Sequence, residues 1–353
     1  MERITNMESI KVASLFCGCG GMDLGIQGNF DFLGKKFDAL PFDIVYAADN
    51  DLYAARIYNS NFSHKCELKD VRDIIPEQVP DHDILLGGFP CQSFSISAQN
   101  PPRLGYKDER GKLFFEMINV LKAKKPRFFI GENVKGLLSA NKGKAFPMII
   151  NEFEKAGYHI HYKLLNASEF GVPQKRERVF IVGFRDFEDY LHFQFPTPTT
   201  LKSNKVKLKQ VLDNKANSDA KWFFSERAVE GMLRVREKMN KGRVQDLEQP
   251  CNTISSHLAK VSLNGTDPVL MIDERYRRFT PREAANIQSF PENFKLDKVS
   301  ENRQYRAIGN AVPPVLMWHV ANSLTKHVIK KEKTIKRQTE LFSEPRPTYC
   351  VSI

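Results

Sequence analysis

Long apolar runs are missing from this sequence, in which no stretch approaches the roughly 18 to 20 residues that a membrane-spanning helix needs. The first residues, up to Lys11, include Glu2, Arg3 and Glu8, and they lack the apolar core of a secretory signal. We therefore expect a soluble, cytoplasmic protein without a membrane partner.

Cysteine is sparse, because the 353 residues contain only 6, far below the density of a disulfide-stapled secreted domain. A reducing compartment is therefore expected. Cys17 and Cys19 form a C-x-C pair, but no second pair and no histidine follow at ligand spacing, so we expect no metal site. The cysteines are Cys17, Cys19, Cys66, Cys91, Cys251 and Cys350.

Acidic residues are outnumbered, with 42 Asp and Glu against 53 Lys and Arg, which gives a formal net charge of +11. Basic side chains that neutralise phosphates release counterions, so this balance suits a polyanionic partner such as a nucleic acid. Because a basic balance also serves solubility, it favours nucleic acid only modestly. The length suits one large domain and a smaller one.

Short apolar runs alternate with helix-period patterns from Ile10 to about Gly183. This alternation predicts a doubly wound α/β domain with a largely parallel sheet. The predicted strands are Val12–Phe16, Ile44–Ala48, Asp83–Leu86, Phe128–Ile130 and Val179–Val182, and the predicted helices are Leu113–Lys122 and Phe146–Ala156.

The pattern changes after Arg185, where prolines and a polar, lysine-bearing stretch mark a domain edge. Periodicity is weak to about Asp273 and returns at Thr280, an N-cap that forms a capping box with Glu283. A last helix is expected after Pro313-Pro314, up to about His327. The predicted division is a domain over 10–184, a smaller domain over 185–273, a segment over 274–327 that returns to the first domain, and a solvated basic tail over 328–353.

A glycine-rich turn, Phe16 to Gly25, follows the first strand and opens a helix. Its glycines allow the backbone to approach a nucleotide-like cofactor at the carboxyl end of the strand. Asp49 ends the second strand, where an acid accepts hydrogen bonds from ribose hydroxyls, and Asp70 is placed to hold an adenine edge. A tight β-to-α connection explains the glycines equally well, and a single Asp more often caps a helix.

Cys91 lies in a loop rich in Gly and Ser after the third strand, where an open α/β sheet exposes its ligand crevice. A thiolate in an electropositive setting there is a nucleophile. Glu132 ends another strand at the same rim, where a buried carboxyl can donate a proton to a ring nitrogen. Arg176 and Arg178 alternate before the next strand and suit a carbonyl oxygen or a phosphate. The alternatives are a buried structural cysteine, a surface acid and an ordinary charged edge.

Six segments, in this order and approximate spacing, resemble the motifs of the DNA (cytosine-5) methyltransferases. The match spans about Val12 to Val320, and the chain length is similar to that of the bacterial modification methylases. The resemblance implies a class I, Rossmann-like methyltransferase domain that uses S-adenosylmethionine, with a small target recognition domain. The segments are Phe16 to Gly25, Pro90-Cys91-Gln92, Glu132-Asn133-Val134, Gln174 to Arg178, Thr280-Pro281-Arg282-Glu283 and Gly309-Asn310-Ala311-Val312.

The resemblance implies that Cys91 attacks C6 of cytosine, which makes C5 able to accept a methyl group. It implies that Glu132 binds N3 and the exocyclic amine of the base. Arg178, with support from Arg176, resembles the pair near the cytosine O2 and the catalytic loop. Covalent addition is needed because cytosine C5 is a poor nucleophile, and the adduct splits one hard step into two easier ones.

The resemblance also implies a set of S-adenosylmethionine contacts. Phe16 resembles the aromatic that packs near adenine or the sulfonium, a cation-π type of contact. Two departures affect packing around the cofactor: Asn50 stands where many members have an aromatic, and Ala311 stands where many have Ser. The implied cofactor-binding set is Phe16, Gly18, Gly20, Asp49, Asp70, Val71, Pro90 and Asn310.

The target base of this family lies inside a duplex and must be flipped out, at a cost of a few kcal/mol. The resemblance implies DNA contacts by Ser97, which enters the vacated stack, by Gln174, and by Thr253, which meets a phosphate. The rest of 185–273 is expected to read base edges in the major groove. The implied partners are double-stranded DNA and a cognate restriction endonuclease, and we expect a monomer that is associated with the nucleoid through DNA.

Three alternative functions stay open at this point. A tRNA cytosine-5 methyltransferase belongs to the same family, although the recognition-sized insert of about 90 residues favours DNA. A catalytically idle DNA-binding module is expected to lack Cys91 or Glu132, and both are present. A nicotinamide oxidoreductase shares only the glycine-rich turn and leaves the Cys91 loop and the paired arginines unexplained.

Overall fold

The computed structural model of the chain describes residues 9–90, 113–231, 243–258 and 267–329. The strands are β1 (Ile10–Leu15), β2 (Phe30–Phe32), β3 (Lys35–Phe37), β4 (Phe42–Asp49), β5 (Glu67–Leu68), β6 (Ile84–Gly87), β7 (Phe128–Val134), β8 (His159–Asn166), β9 (Gln174–Lys175), β10 (Glu177–Phe184), β11 (Cys251–Asn252), β12 (Leu270–Ile272) and β13 (Arg275–Arg277). The labelled helices are α1 (Gly21–Gln27), α2 (Leu52–Asn61), α3 (Leu113–Lys124), α4 (Ala145–Lys155), α5 (Phe187–His192), α6 (Pro281–Ile287), α7 (Glu301–Asn310) and α8 (Pro314–Leu324).

A 7-stranded sheet in the order β5-β4-β1-β6-β7-β10-β8 forms the centre of the molecule. Its first five strands are parallel, whereas β10 runs antiparallel to both of its neighbours. The five strands predicted from apolar runs correspond to β1, β4, β6, β7 and β10, so the prediction of a doubly wound, largely parallel sheet is confirmed. The carboxyl ends of β1, β4, β6 and β7 share one edge, where such sheets bind ligands.

Two hydrophobic clusters cover the two faces of the sheet, because successive side chains of a strand point to opposite faces. Val12 and Leu86 lie in the cluster formed with α1, α2 and α8, and their neighbours Ala13 and Leu85 lie in the cluster formed with α3 and α4. Apolar side chains on both faces explain why these strands read as continuous apolar runs.

The edge strand β8 was not predicted. Its sequence alternates polar and apolar residues irregularly, and only Leu165 among its residues is buried. An edge strand buries the side chains of one face at most and exposes the others. Its sequence therefore lacks the continuous apolar run by which the buried strands were recognised.

Three helices follow the recognition-sized insert. The capping box predicted at Thr280 is present, because the Thr280 hydroxyl accepts from Glu283 N and the Glu283 carboxylate accepts from Thr280 N. The helix expected after Pro313-Pro314 is α8, which packs against α1 and continues beyond Leu324 as a π-helical turn, Thr325–Ile329, so helical structure extends past the predicted end at about His327. Helix α7, whose sequence is mostly polar, was not predicted.

The described part of the segment between α5 and α6 contains short 3₁₀ turns, a short helical stretch, isolated bridges and the short strands β11, β12 and β13, in agreement with its weak periodicity. It joins the first domain through β11, which pairs with β9 in parallel. The domain boundaries at 184, 273 and 327 stay a prediction. Within the described residues, no helix combines the length and the apolar character that crossing a bilayer requires.

Candidate active site

The loop after β1 has the backbone shape of a ligand-binding turn. Phe16 adopts a φ of 56°, which is uncommon for a residue other than glycine, and Gly20 has a φ of 91°. A Cβ at Gly20 would lie 2.3 Å from the Phe62 ring, and one at Gly21 would lie 2.3 Å from the carbonyl oxygen of Val312. Only glycine therefore allows the loop to pack against both α2 and the segment after α7.

Asp49 fixes this loop from the neighbouring strand. Its carboxylate accepts hydrogen bonds from the backbone N–H of Gly18 and from that of Asp51, both at 2.8 Å. Burial raises the pKa of Asp49, although these backbone donors oppose the shift. Each carboxylate oxygen retains a lone pair for a further donor, such as a ribose hydroxyl.

A partly enclosed cleft lies where β1 and β4 end. It brings together five of the residues predicted to contact the cofactor, namely Phe16, Asp49, Asp70, Val71 and Pro90. Its other lining residues are Leu15, Ala48, Asn50, Lys69, Ile74 and Leu113. Sequence reasoning missed Ile74 and Leu113, because isolated apolar residues in a 3₁₀ segment and at a helix start carry no pattern that separates a pocket wall from the core.

Asp70 serves the local structure as well as the cleft. It accepts hydrogen bonds from the backbone N–H and the guanidinium of Arg72 and from the amide of Asn50. These donors, with that of the Arg72 side chain largest, lower the pKa of Asp70 far below its usual range. Asp70 thus caps the 3₁₀ turn Val71–Asp73, and it still presents an ionised carboxylate to the cleft.

The second group of predicted site residues lies on β7 and β10. Arg178 Nε is 2.9 Å from Glu132 Oε1, and both side chains are 11% exposed. A Cβ built at Gly88 would lie 3.8 Å from Glu132 Oε2, so this carboxylate borders the segment that leads from β6 to Cys91. The neighbouring Asn133 donates its amide to the carbonyl of Phe89 at 2.9 Å and holds that segment in place.

The environment of Glu132 opposes its ionisation. Burial raises its pKa, while the guanidinium groups of Arg178 and Arg176 pull in the other direction and only partly offset the shift. A carboxyl in this state can exchange a proton with a base that binds beside it. Cys91 and Ser97 lie outside the described residues.

Arg176 occupies a different position from the one expected. Its side chain is 2% exposed, and its guanidinium donates to the carbonyls of Ile254, Gly309 and Ala311 at 2.9 to 3.1 Å. Arg178 pairs with Glu132, whereas Arg176 donates to backbone carbonyls and acts on Glu132 and Arg178 through its charge. Arg176 therefore both holds backbone beside the pocket and contributes to its electrostatics.

Gln174, which was expected at the DNA interface, is fully buried. Its amide bonds to Gln288 and to the backbone of Ile254 and Ile287, so it has no surface for a duplex to contact in this structure. Nothing in the sequence indicated this interior position, because glutamine side chains are mostly exposed in proteins.

Thr253 and Asn310 are both exposed. The Thr253 hydroxyl donates to the carbonyl of Lys175 at 2.7 Å, which holds it at the end of β11. Asn310 is the last residue of α7 and precedes the residues that pack on the glycine-rich loop. Among the residues that the structure describes, no three His, Cys, Asp or Glu side chains gather as a metal site.

Solved structures that resemble this fold include methyltransferases. The Entamoeba histolytica methyltransferase EhMeth aligns with a TM-score of 0.70 at 18% identity, covering 90% of this chain and 98% of that one. A mutant of Spodoptera frugiperda DNMT2 aligns with a TM-score of 0.70 at 20% identity, covering 90% and 100%. The sheet order, the cleft at its carboxyl edge and this likeness define a Rossmann-like methyltransferase fold.

The sequence assigns the family within that class. A family model described as C-5 cytosine-specific DNA methylase matches residues 10–326, and the chain belongs to that family. The chain is therefore a DNA cytosine-5 methyltransferase, as the six motifs indicated, and the family implies S-adenosylmethionine as the methyl donor.

Two curated relatives cover nearly the whole chain. The type II methyltransferase M.FnuDI of Fusobacterium nucleatum is 37% identical over 358 residues, which is 94% of this chain and 100% of the relative. The type II methyltransferase M.Bsp6I of a Bacillus strain is 35% identical over 332 residues, which is 91% of this chain and 100% of the relative.

Proposed function

We propose that this chain methylates C5 of cytosine within a specific double-stranded DNA sequence through a covalent adduct between the Cys91 sulfur and C6 of the base. The observation that carries the proposal is the buried Glu132–Arg178 pair, 2.9 Å apart, beside the segment that leads to Cys91. The pair offers a proton and a hydrogen-bond donor within one pocket, at the sheet edge that also carries the cofactor cleft.

The chemistry proceeds in two stages. The Cys91 thiolate forms a bond from Sγ to C6 while N3 takes the proton of Glu132, and the electrons of the C5–C6 double bond make C5 nucleophilic. After C5 has received the methyl group, a base removes the C5 proton. That electron pair restores the C5–C6 double bond, the Sγ–C6 bond breaks with its electrons returning to sulfur, and N3 returns its proton to Glu132.

Arg178 supports the first stage. Its guanidinium opposes the pKa rise of Glu132, and in this proposal it donates to O2 of the base as negative charge accumulates there. Acid assistance of this type contributes on the order of 10² to 10⁴ in rate.

The residues that line the cleft have the chemistry to hold S-adenosylmethionine in this proposal. Phe16 offers an aromatic face for adenine or the sulfonium, Asp49 offers a carboxylate for the ribose hydroxyls, and Val71 provides an apolar wall beside the ionised Asp70. Gly18 and Gly20 shape the loop, and Pro90 lies in the cleft lining directly before Cys91. Asn310, which is exposed at the end of α7, approaches the cofactor in this proposal from outside that lining. S-adenosylmethionine, when bound there, supplies the methyl group.

The DNA side of the site rests on Thr253, whose exposed hydroxyl is held beside β9, and on Ser97 as the side chain that enters the vacated stack. The segment 185–273 reads base edges and sets the sequence that is modified. The type II methyltransferases among its relatives support a biological role in which this methylation protects host DNA from a cognate restriction endonuclease. The protein works in the cytoplasm as a monomer, on the DNA of the nucleoid.

Bisulfite sequencing tests this function. DNA is isolated from a host that lacks cytosine methylation and expresses the full chain, and we expect protected cytosines at one position of one short recurring sequence. The same DNA is expected to resist an endonuclease that cleaves this sequence. Fully converted DNA, together with methyl transfer to tRNA by the purified protein, would contradict the proposal and favour the RNA alternative.

A further inference from the structure

A cluster of two amides and one guanidinium lies in the interior, outside the lining of the cofactor cleft and close enough to Glu132 for its guanidinium to act on that carboxyl. It consists of Gln174, Arg176 and Gln288, all of which are buried. Gln174 Nε2 donates to Gln288 Oε1 at 2.8 Å, so Gln288 accepts through its amide oxygen and its amide nitrogen is left to donate elsewhere. We call this group the Gln174–Arg176–Gln288 cluster.

One side of the cluster holds the segment that follows β11. Gln174 Oε1 accepts from the backbone N–H of Ile254 at 3.0 Å, and Arg176 donates to the Ile254 carbonyl at 3.1 Å. Both backbone polar groups of this residue are thus bound by side chains from the other domain. Thr253, the predicted phosphate contact, is the residue before it and is fixed with it.

The other side of the cluster holds the end of α7. The last carbonyls of a helix have no partner within the helix. Gln288 Nε2 donates to the carbonyls of Ile308 and Ala311 at 2.8 and 3.2 Å, and Arg176 donates to those of Gly309 and Ala311. Asn310, the predicted cofactor contact, lies between these carbonyls.

The two sides also touch directly. A Cβ at Gly309 would lie 2.3 Å from the backbone carbon and oxygen of Ser255 and 2.4 Å from Ser256 N. The end of α7 and the segment after Thr253 therefore pack backbone against backbone, and the cluster is the set of side chains that hydrogen-bonds both.

We propose that Gln288 is a positioning residue that couples duplex binding at Thr253 to cofactor binding at Asn310, although it touches neither ligand. Its amide must accept from Gln174 and donate to the carbonyls at the end of α7 at the same time. Movement of the Thr253 segment on DNA is thereby transmitted to Asn310. The inference rests on the proposed function, because the roles of Thr253 and Asn310 belong to it.

Coupling between two binding sites is reciprocal, so it can be measured from the cofactor side. The probe is S-adenosylhomocysteine, which binds without allowing turnover, titrated by calorimetry with and without a duplex that carries the sequence mapped by bisulfite sequencing. We expect the duplex to tighten its binding to the wild-type protein by about 5- to 150-fold, the usual range of such coupling.

Gln288→Glu keeps the shape of the side chain but cannot donate to the carbonyls of α7. Gln288→Met keeps the volume without adding a buried charge, so it serves if the first variant does not fold. In both we expect the duplex to change S-adenosylhomocysteine affinity by less than about 2-fold. The matched controls are Gln304→Glu and Gln304→Met, because Gln304 lies on α7 itself and its amide donates to a backbone carbonyl outside the cluster, that of Val299. The controls should retain the wild-type tightening.

The outcomes separate the two claims. A lower thermal midpoint with unchanged tightening in the Gln288 variants means a structural role only and overturns the inference. Absence of tightening in a wild-type protein that binds S-adenosylhomocysteine and methylates DNA overturns it as well. A wild-type protein that neither binds this probe nor methylates DNA contradicts the proposed function itself.

Discussion

Cys91→Ser is expected to lower methyl transfer by on the order of 10⁴-fold or more, because a serine hydroxyl does not ionise at neutral pH as a thiol can. The loss is of the nucleophile alone. Binding of S-adenosylhomocysteine and of the duplex should therefore stay within about 2-fold of wild type, since neither depends on the Sγ–C6 bond.

The measurement is single-turnover transfer of a labelled methyl group to a duplex that carries the mapped sequence, with binding measured in parallel. Cys350→Ser is the matched control, because it removes a thiol that lies beyond the last motif of the family. Comparable turnover in the two variants would show that the reaction does not use the Cys91 sulfur.

Glu132→Gln is expected to slow methyl transfer by about 10² to 10⁴, since an amide has no proton to give to N3 of the base. The change also leaves Arg178 buried without its counter-charge, and breaking a buried pair costs about 3–5 kcal/mol of stability. Thermal unfolding must therefore accompany the kinetics, and rates are compared at a temperature where both proteins are folded.

The control for this variant is Glu177→Gln, on the neighbouring strand. Glu177 pairs with Lys135 at 2.9 Å but is 41% exposed, so its loss removes the same charge without touching the pocket. We expect Glu177→Gln to retain wild-type turnover. If the two variants lose activity equally, the effect comes from charge or folding and not from a proton at N3.

The pH dependence provides a separate check on Glu132. Because burial raises its pKa, the protonated form persists to higher pH than for an exposed glutamate and disappears as the pH rises through that pKa. The acid-assisted part of the wild-type rate should fall over the same window. Glu132→Gln has no such group, so its residual rate should lack this decline.

The parts of the fold that sequence inspection recovered are those with a strong local cause. Strands buried on both faces, such as β1 and β6, are continuous apolar runs, and the capping box at Thr280 is a local pattern of hydrogen bonds. Edge strand β8 and helix α7 have no such signal. They are stabilised by pairing with β10 and by contacts with α2 and α6, which come from distant parts of the chain.

The same distinction applies to the site. Phe16 and Asp49 lie at the ends of predictable strands, so their meeting in one cleft could be anticipated from the shared edge of a parallel sheet, whereas the strand before Asp70, β5, has only two residues and no apolar run. The interior positions of Gln174 and Arg176 could not. Their partners are backbone carbonyls and amides up to 135 residues away, and the default expectation for such polar side chains is the surface.

The covalent step at Cys91 is tested most directly by mass spectrometry of the wild-type protein after reaction with a duplex that carries 5-fluorocytosine at the mapped position, in the presence of S-adenosylmethionine. Fluorine at C5 cannot leave as a proton does, so the base cannot be released after methylation. We predict a stable protein–DNA complex whose only modified peptide contains Cys91. Free protein after full methyl transfer, or attachment at any other residue, would contradict the mechanism.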